Sequence, residues 1–229
     1  MAEKQILFID ACARKESRTR RLTESVLSHI EGRVTHLKLY EKEMFPLDEN
    51  AINQRDECVA CGSCEPDHLS FAKQFAAADE ILIAAPYWDF SFPSLLKVYL
   101  ENVTVNGITF TYTEAGIPKG LCKAGRLLYV TTAGGPITDA SFGYGYVQAL
   151  CSNLYGIADT EYLCAENLDI IGMDPDAILR EAEAEAARRF GTGKVYNHPE
   201  LSITECSREE KSRGIIVLNP VEQSSTSDT

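Results

Sequence analysis

A chain of 229 residues that is 45% hydrophobic and 24% charged is long enough for one sizeable core and has the profile of a soluble globular protein. Its formal net charge of −12 argues against general phosphate-backbone binding and so against a nucleic-acid protein, although a small anion can still bind where positive charge is concentrated. No apolar run approaches bilayer-spanning length, and Met1-Ala2-Glu3-Lys4 leads directly into a strand-like run without the regions of a secretion signal, so the expectation is a cytoplasmic protein with no membrane or nucleic-acid partner.

Strand-like and helix-like stretches then alternate. Gln5-Ile-Leu-Phe-Ile9 is a short apolar run of the kind that forms a fully buried parallel strand. Residues 19–31 carry Leu22, Val26, Leu27 and Ile30 at helical spacing, with Gly32 as a stop. Val34 to Leu39 alternates as a second strand. Residues 40–67, with Pro46, Asn50, Asn53 and clustered cysteines, read as a long loop, and Leu69 to Ala77 as a short helix. Glu80-Ile-Leu-Ile-Ala84 is the third strand, and Pro93 opens a helix that runs to Asn102. Residues 103–125, with four glycines, read as irregular. Arg126 to Thr132 is a fourth strand ending at Gly134-Gly135, Tyr146 to Tyr155 a helix closed by Gly156, and Thr160 to Ala165 a fifth strand. Asp174 caps a last helix that has Pro175 at its first position and runs to about Phe190.

This order predicts an α/β fold: a doubly wound five-stranded parallel sheet with helices on both faces, formed by residues 1–190. Residues 191–229 form an extension. Within it, Gly214 to Leu218 could add a strand, and Gln223 to Thr229 is polar enough to be disordered.

In open sheets of this kind ligands bind outside the carboxyl ends of the strands. Three loops leave those ends. The first, Asp10 to Arg21, gathers Arg14, Lys15, Arg18, Arg20 and Arg21 in an acidic chain, with Ser17 and Thr19 at a helix start. That suits a phosphate, and equally a solvated basic helix start. The second, Pro86-Tyr87-Trp88-Asp89-Phe90, holds three aromatics that could wall a flat ligand or cover the core. The third, Thr131-Thr132-Ala133-Gly134-Gly135-Pro136, lets backbone approach a ligand closely or simply turns. Together they suit a flavin mononucleotide: a phosphate end, an aromatic wall and a backbone edge. Neither a G-x-G-x-x-G nor a P-loop fingerprint is present.

Three segments in order carry a family resemblance. "APYWDFSFPSLLKVYLENV" resembles the Pro-Met-Tyr-Asn-Phe-Ser-Ile-Pro segment and following Leu-Lys helix of FMN-dependent NADH azoreductases and quinone reductases. "NGITFTYTEAGIPKGLCKAGRLLYVTTAGG" is similar to that family's Gly-x-Thr-Phe-x-Tyr-Thr-Glu-x-Gly stretch, fourth strand and Gly-Gly turn, and "LYGIADTEYLCAENL" to its Phe-Gly-Ile-x-Asp and Ala-Glu-Gly segment. The resemblance runs from about Lys4 to the end of the last helix. It implies a flavodoxin-like fold and a homodimer with shared active sites. It also implies one FMN per subunit, and ping-pong hydride transfer from NADH or NADPH to a small aromatic acceptor. Cys12, Arg14, Ser17, Arg18 and Thr19 would then lie at the phosphate, Pro86 to Phe90 and Thr131 to Gly135 around the ring and ribityl chain. Phe110 and Tyr112 would reach the partner's pocket, where Trp88 and Tyr144 also face the acceptor, with Tyr146 near its mouth. Tyr112 and Tyr144 are candidate proton donors. The chain departs from the family pattern at Asp89 (asparagine in the family), Ala133 (often arginine) and Cys12 (often serine).

Of eight cysteines, Cys151 and Cys164 sit in apolar runs and read as small hydrophobes. Cys58, Cys61 and Cys64 are spaced for an iron–sulfur cluster but lack a nearby fourth cysteine. With His68 they could bind zinc, and otherwise they form a cysteine-rich loop. His29 and His36 read as surface residues and His198 lies in the tail. No nucleophile elbow suggests a hydrolase. The expected activity is therefore an FMN-dependent NAD(P)H oxidoreductase acting on quinone, azo or related conjugated aromatic acceptors. The alternatives are an ene-reductase saturating an activated C=C of an enone or flavone-like polyphenol, and an iron–sulfur electron carrier.

Overall fold

Five parallel strands define the centre of the computed structural model, which describes residues 3–62, 69–193 and 196. In chain order the elements are β1 (Gln5–Asp10), α1 (Arg18–Leu27), β2 (Arg33–Lys38), α2 (Glu49–Cys61), α3 (Ser70–Ala77), β3 (Glu80–Ala84), α4 (Ser94–Val103), β4 (Phe110–Tyr112), β5 (Pro118–Gly120), β6 (Arg126–Thr132), α5 (Tyr146–Leu150), β7 (Asp159–Ala165) and α6 (Pro175–Phe190). The sheet order is β2-β1-β3-β6-β7, so the direction of winding reverses between β1 and β3. The expectations for Cys64, His68, His198, the 214–218 strand and the 223–229 end lie outside the described residues.

The central strands β1, β3 and β6 are buried on both faces, as parallel strands covered by crossover helices must be, while the edge strand β2 alternates buried and open positions. In β1, Ile6 and Phe8 join one core cluster and Leu7 and Ile9 the other. Leu22 and Val26 of α1 and Ile178, Leu179 and Ala182 of α6 fill the first. Phe75 of α3, Leu96, Tyr99 and Leu100 of α4, and Val147 of α5 fill the second. At the amino ends of the strands the buried Glu80 is held by Arg126 (2.5 Å) and Lys4. Arg126 also bonds Glu161 at 3.0 Å, and Glu161 takes Arg189 at 2.6 Å. A buried carboxylate needs such partners, and this network fixes the sheet edge opposite the ligand loops.

Three features depart from the sequence reading. The expected loop at 40–67 contains α2, capped by the Asp48 side chain on the Ala51 amide (2.8 Å). Cys58 is the buried residue of α2 and packs with Leu69, Ala72 and Val105. With so little apolar face the helix leaves no periodic signal. The irregular stretch at 103–125 contains the antiparallel β4–β5 hairpin. Gly120 of that hairpin lies against the backbone of Tyr155 and Gly156, where a Cβ would come within 2.2 Å. Finally, α5 is flanked by π-helical turns at Ser141–Gly145 and Cys151–Tyr155, so the helical path begins earlier than expected.

Candidate functional site

The loops after β1, β3 and β6 leave the carboxyl ends of neighbouring strands around the switch between β1 and β3, the expected ligand position for this topology. Asp10, the last residue of β1, is buried and accepts the Cys12 amide at 2.9 Å, which turns the chain out of the sheet. The side chains of Arg20 (2.5 Å) and His36 (3.0 Å) also reach Asp10. Burial alone would raise the Asp10 carboxyl, but the bonds from His36, Arg20 and the Cys12 amide outweigh it and hold it down at about 2. His36 is therefore not a surface residue: it stacks on Phe8 with ring centroids 4.2 Å apart and faces Asp10. Cys12 is buried beneath the loop, and burial together with the Asp10 charge pushes its thiol up, so it fills space as a neutral thiol.

Ser17 caps α1 by accepting the Arg20 amide at 3.3 Å. Thr19 is buried and its hydroxyl meets that of Thr132 at 2.7 Å, tying the start of α1 to the end of β6. Arg18 reaches across to Asp169 (2.7 Å) and the Leu168 carbonyl (3.4 Å), so this guanidinium is paired rather than free. Arg14 is exposed on the loop.

Pro86 follows the end of β3, and the Tyr87 amide donates to the Thr132 carbonyl at 3.0 Å, so the sheet pairing extends into the second loop. Trp88 and Ser91 then exchange both backbone bonds (3.0 and 2.8 Å) around a two-residue turn. Asp89 (φ 50°) and Phe90 (φ 66°) are both left-handed there, a geometry ordinarily given to Asn-Gly. Two non-glycine residues in that region cost about 1 kcal/mol or more each, strain of the kind that gathers at functional sites. The turn presents Trp88 (41% exposed) and Phe90 (61%). The Tyr87 hydroxyl bonds the Asp139 carbonyl (3.1 Å) and Ser91 Oγ the Phe142 carbonyl (2.7 Å), which tether this loop to the segment after β6.

In the third loop, Ala133, Gly134 and Gly135 are zipped to residues 165–169. Ala133 donates to Ala165, and Leu168, Asp169 and Asn167 donate to Ala133, Gly134 and Gly135. The buried Glu166 accepts the Ile137 amide at 2.6 Å. A Cβ on Gly134 would lie 2.4 Å from Asp169 Oδ2, whereas one on Gly135 would meet nothing. The absence of a Cβ on Gly134 leaves room for the Asp169 carboxylate. Thr131 Oγ1 is buried at the end of β6 with no hydrogen-bond partner among the described residues.

Two expected acceptor residues sit elsewhere. Tyr144 lies on the sheet face against Tyr162 and Tyr129 (centroids 4.9 and 6.0 Å), and its hydroxyl bonds Thr160 near the amino end of β7. It points away from the carboxyl edge, because that hydroxyl is satisfied inside the fold. Phe110 is buried within its own subunit at the base of the hairpin, while Tyr112 is 54% exposed. Tyr146 packs its ring against Phe92 at 5.8 Å. Arg20 stands out in the sequence as one of the basic residues of the first loop, but its service to Asp10 does not, and Asp10, His36, Glu166 and Asp169 carry no sequence signal beyond their positions near strand ends.

Among the described residues no group of three His, Cys, Asp or Glu side chains could hold a metal ion. Cys58 is disulfide-bonded, which removes its thiolate from any cluster, and Cys61 is exposed. No helix among the described residues is long and apolar enough to cross a membrane.

A family model described as a flavodoxin-like fold matches residues 4–190. The chain is 35% identical over 203 residues to FMN-dependent NADH:quinone oxidoreductase 2 of Clostridium acetobutylicum, covering 81% of this chain and 99% of that protein. It is 32% identical over 191 residues to the FMN-dependent NADH:quinone oxidoreductase of Lachnoclostridium phytofermentans, covering 80% and 96%. Among solved structures, an FMN-dependent NADH-azoreductase from Bacillus anthracis str. Ames Ancestor in complex with FMN superposes with a TM-score of 0.65 at 25% identity, over 82% of this chain and 100% of that one. An azoreductase from Bacillus anthracis str. Sterne gives a TM-score of 0.68 at 22% identity, over 81% and 97%, a likeness of fold.

Proposed function

The chain belongs to the flavodoxin-like fold family, among the FMN-dependent NADH:quinone oxidoreductases, and from that membership we propose that it is an FMN-dependent NAD(P)H oxidoreductase reducing quinone, azo or related conjugated aromatic acceptors. The observation that carries the reading is the 35% identity to a curated FMN-dependent NADH:quinone oxidoreductase across 99% of that protein. The three loops at one sheet edge supply a chemistry that fits the cofactor.

The fit rests on side chains and amides of this chain. At the start of α1 the amides of Arg18 and Thr19 have no partner among the described residues, and the helix dipole favours an anion there. Ser17 stands at the same end. Trp88 and Phe90 offer exposed aromatic faces, held out by the strained turn and its tethers to Asp139 and Phe142. The unpartnered Thr131 hydroxyl and the 133–135 backbone lie at the end of β6, next to that turn. Bound flavin would supply the hydride chemistry, taken from reduced nicotinamide and given to the acceptor, while the protein binds, orients and shields. Asp89, exposed in the turn, would place a carboxylate rather than an amide beside the ring edge, an acceptor where the amide also donates.

The proposed assembly is a homodimer with shared sites. It is supported by the exposed aromatic side chains Trp88, Phe90, Tyr112 and Phe142, which a second copy would cover. Tyr112, on the projecting hairpin, is the residue proposed to meet the acceptor. The proposed setting is the cytoplasm, supported by the unoxidised thiols of Cys12, Cys122 and Cys151, with the Cys58 disulfide as the feature that weighs against it. The test is initial-rate kinetics with NADH and a benzoquinone, together with sedimentation. Parallel double-reciprocal lines and a dimer are expected; intersecting lines or a monomer with full activity would overturn the shared-site ping-pong reading.

A further inference from the structure

Arg20 has five N–H donors, and all five are committed. Nε donates to Asp10 Oδ2 (2.5 Å). Nη1 donates to the carbonyls of Arg14 (3.0 Å) and Lys15 (2.7 Å), and Nη2 to Asp10 Oδ1 (3.4 Å) and the Cys12 carbonyl (2.9 Å). No donor remains for a ligand, so Arg20 does not contact one. Its effect falls on the loop that follows β1.

A trans peptide sets its N–H opposite the preceding C=O. Drawing the carbonyls of Cys12, Arg14 and Lys15 onto one guanidinium therefore turns the amides of Ala13, Lys15 and Glu16 away from it. Those amides have no partner among the described residues. From this we infer that Arg20, anchored on Asp10, is the positioning residue of the phosphate loop: it holds three carbonyls back and leaves three amides turned out for the cofactor phosphate. The anchor is rigid because Asp10 is buried and also held by His36 and the Cys12 amide. Lysine could keep the charge beside Asp10 but not the planar fork that gathers three carbonyls. The inference rests on the proposed reading of this loop as the phosphate end of an FMN site.

The test compares the full-length wild-type chain and Arg20→Lys, both stripped of flavin, for binding of FMN and of riboflavin, which lacks only the phosphate. Hydrogen exchange of the 11–17 segment is followed in parallel. The expected result is an FMN affinity about 10- to 100-fold weaker in the variant, the size of loss set by hydrogen bonds to a charged group. Riboflavin affinity stays unchanged and exchange in 11–17 is faster. Equal weakening of both flavins, or no change in either, would overturn the inference, since a merely structural Arg20 cannot single out the phosphate. If the wild type itself fails to prefer FMN over riboflavin, the phosphate reading falls, while faster exchange in the variant would still show Arg20 bracing the loop. Should Arg20→Lys fail to fold, wild-type chain titrated with inorganic phosphate and followed by NMR decides. Shifts at the amides of Ala13, Lys15 and Glu16 support the inference, and their absence overturns it.

Discussion

Replacing Asp10 with asparagine removes the charge on which the loop after β1 is anchored, and the cost has a pH signature. The Asp10 carboxyl lies at about 2 in the folded protein against an ordinary value of 3.8. That difference corresponds to about 2 kcal/mol of stability. The sign follows from the depressed value. Above about pH 5 the carboxylate is ionised in both states and its full contribution is present. As pH falls from 4 towards 2 the unfolded chain takes up the proton first, and the contribution is lost. Urea unfolding of wild type and Asp10→Asn at a series of pH values isolates this group from the other acids, because only the difference between the two proteins is read. The expected difference is about 2 kcal/mol at pH 7, shrinking to about half that at pH 3. Equal stabilities at pH 7, or a difference that does not change with pH, would refute the view that a salt-bridged Asp10 charge holds the loop.

Other substitutions test neighbouring parts of the account. Phe90→Gly relieves a left-handed φ of 66°, so thermal unfolding of the flavin-free protein should show stability held or raised by about 1 kcal/mol while FMN binding weakens; a clear loss of stability contradicts this. Gly120→Ala forces a Cβ into the backbone of Tyr155 and Gly156, and should lower stability by about 2 kcal/mol or more in urea unfolding, with a rise in KM for the quinone as the hairpin carrying Tyr112 is displaced. Tyr144→Phe removes a hydroxyl bonded to Thr160 and should cost about 1 kcal/mol with kcat for quinone unchanged; a large fall in kcat would restore Tyr144 as a proton donor.

The central strands were legible because burial on both faces writes itself into the sequence as continuous apolar runs, as in Ile81-Leu-Ile-Ala84, the edge strand β2 because it alternates, and most helices because their apolar residues recur at helical spacing. α2 was not legible because its buried face is little more than Cys58, so nothing repeats every three or four residues. The three loops of the candidate site could be read as a group, since turns, aromatics and basic residues mark the ends of strands. The residues that hold those loops could not. Glu166 and Asp169 act through contacts made across the fold, such as Arg18 to Asp169, 151 positions apart, and no local pattern records such a pairing; Arg20 is visible as a basic loop residue, but its folding back onto Asp10 and three nearby carbonyls is not. Tyr144 and Phe110 show the converse: aromatics near a ligand loop in sequence that turn inward because a partner hydroxyl or a core position takes them.

The most direct test is the absorbance spectrum of the protein purified without oxygen, before and after NADH and then after a quinone. The account requires two flavin bands that bleach with NADH and return with quinone, and a released cofactor that is FMN. A protein that carries no flavin and takes up none, or whose flavin is untouched by NADH and NADPH alike, would contradict the proposed oxidoreductase.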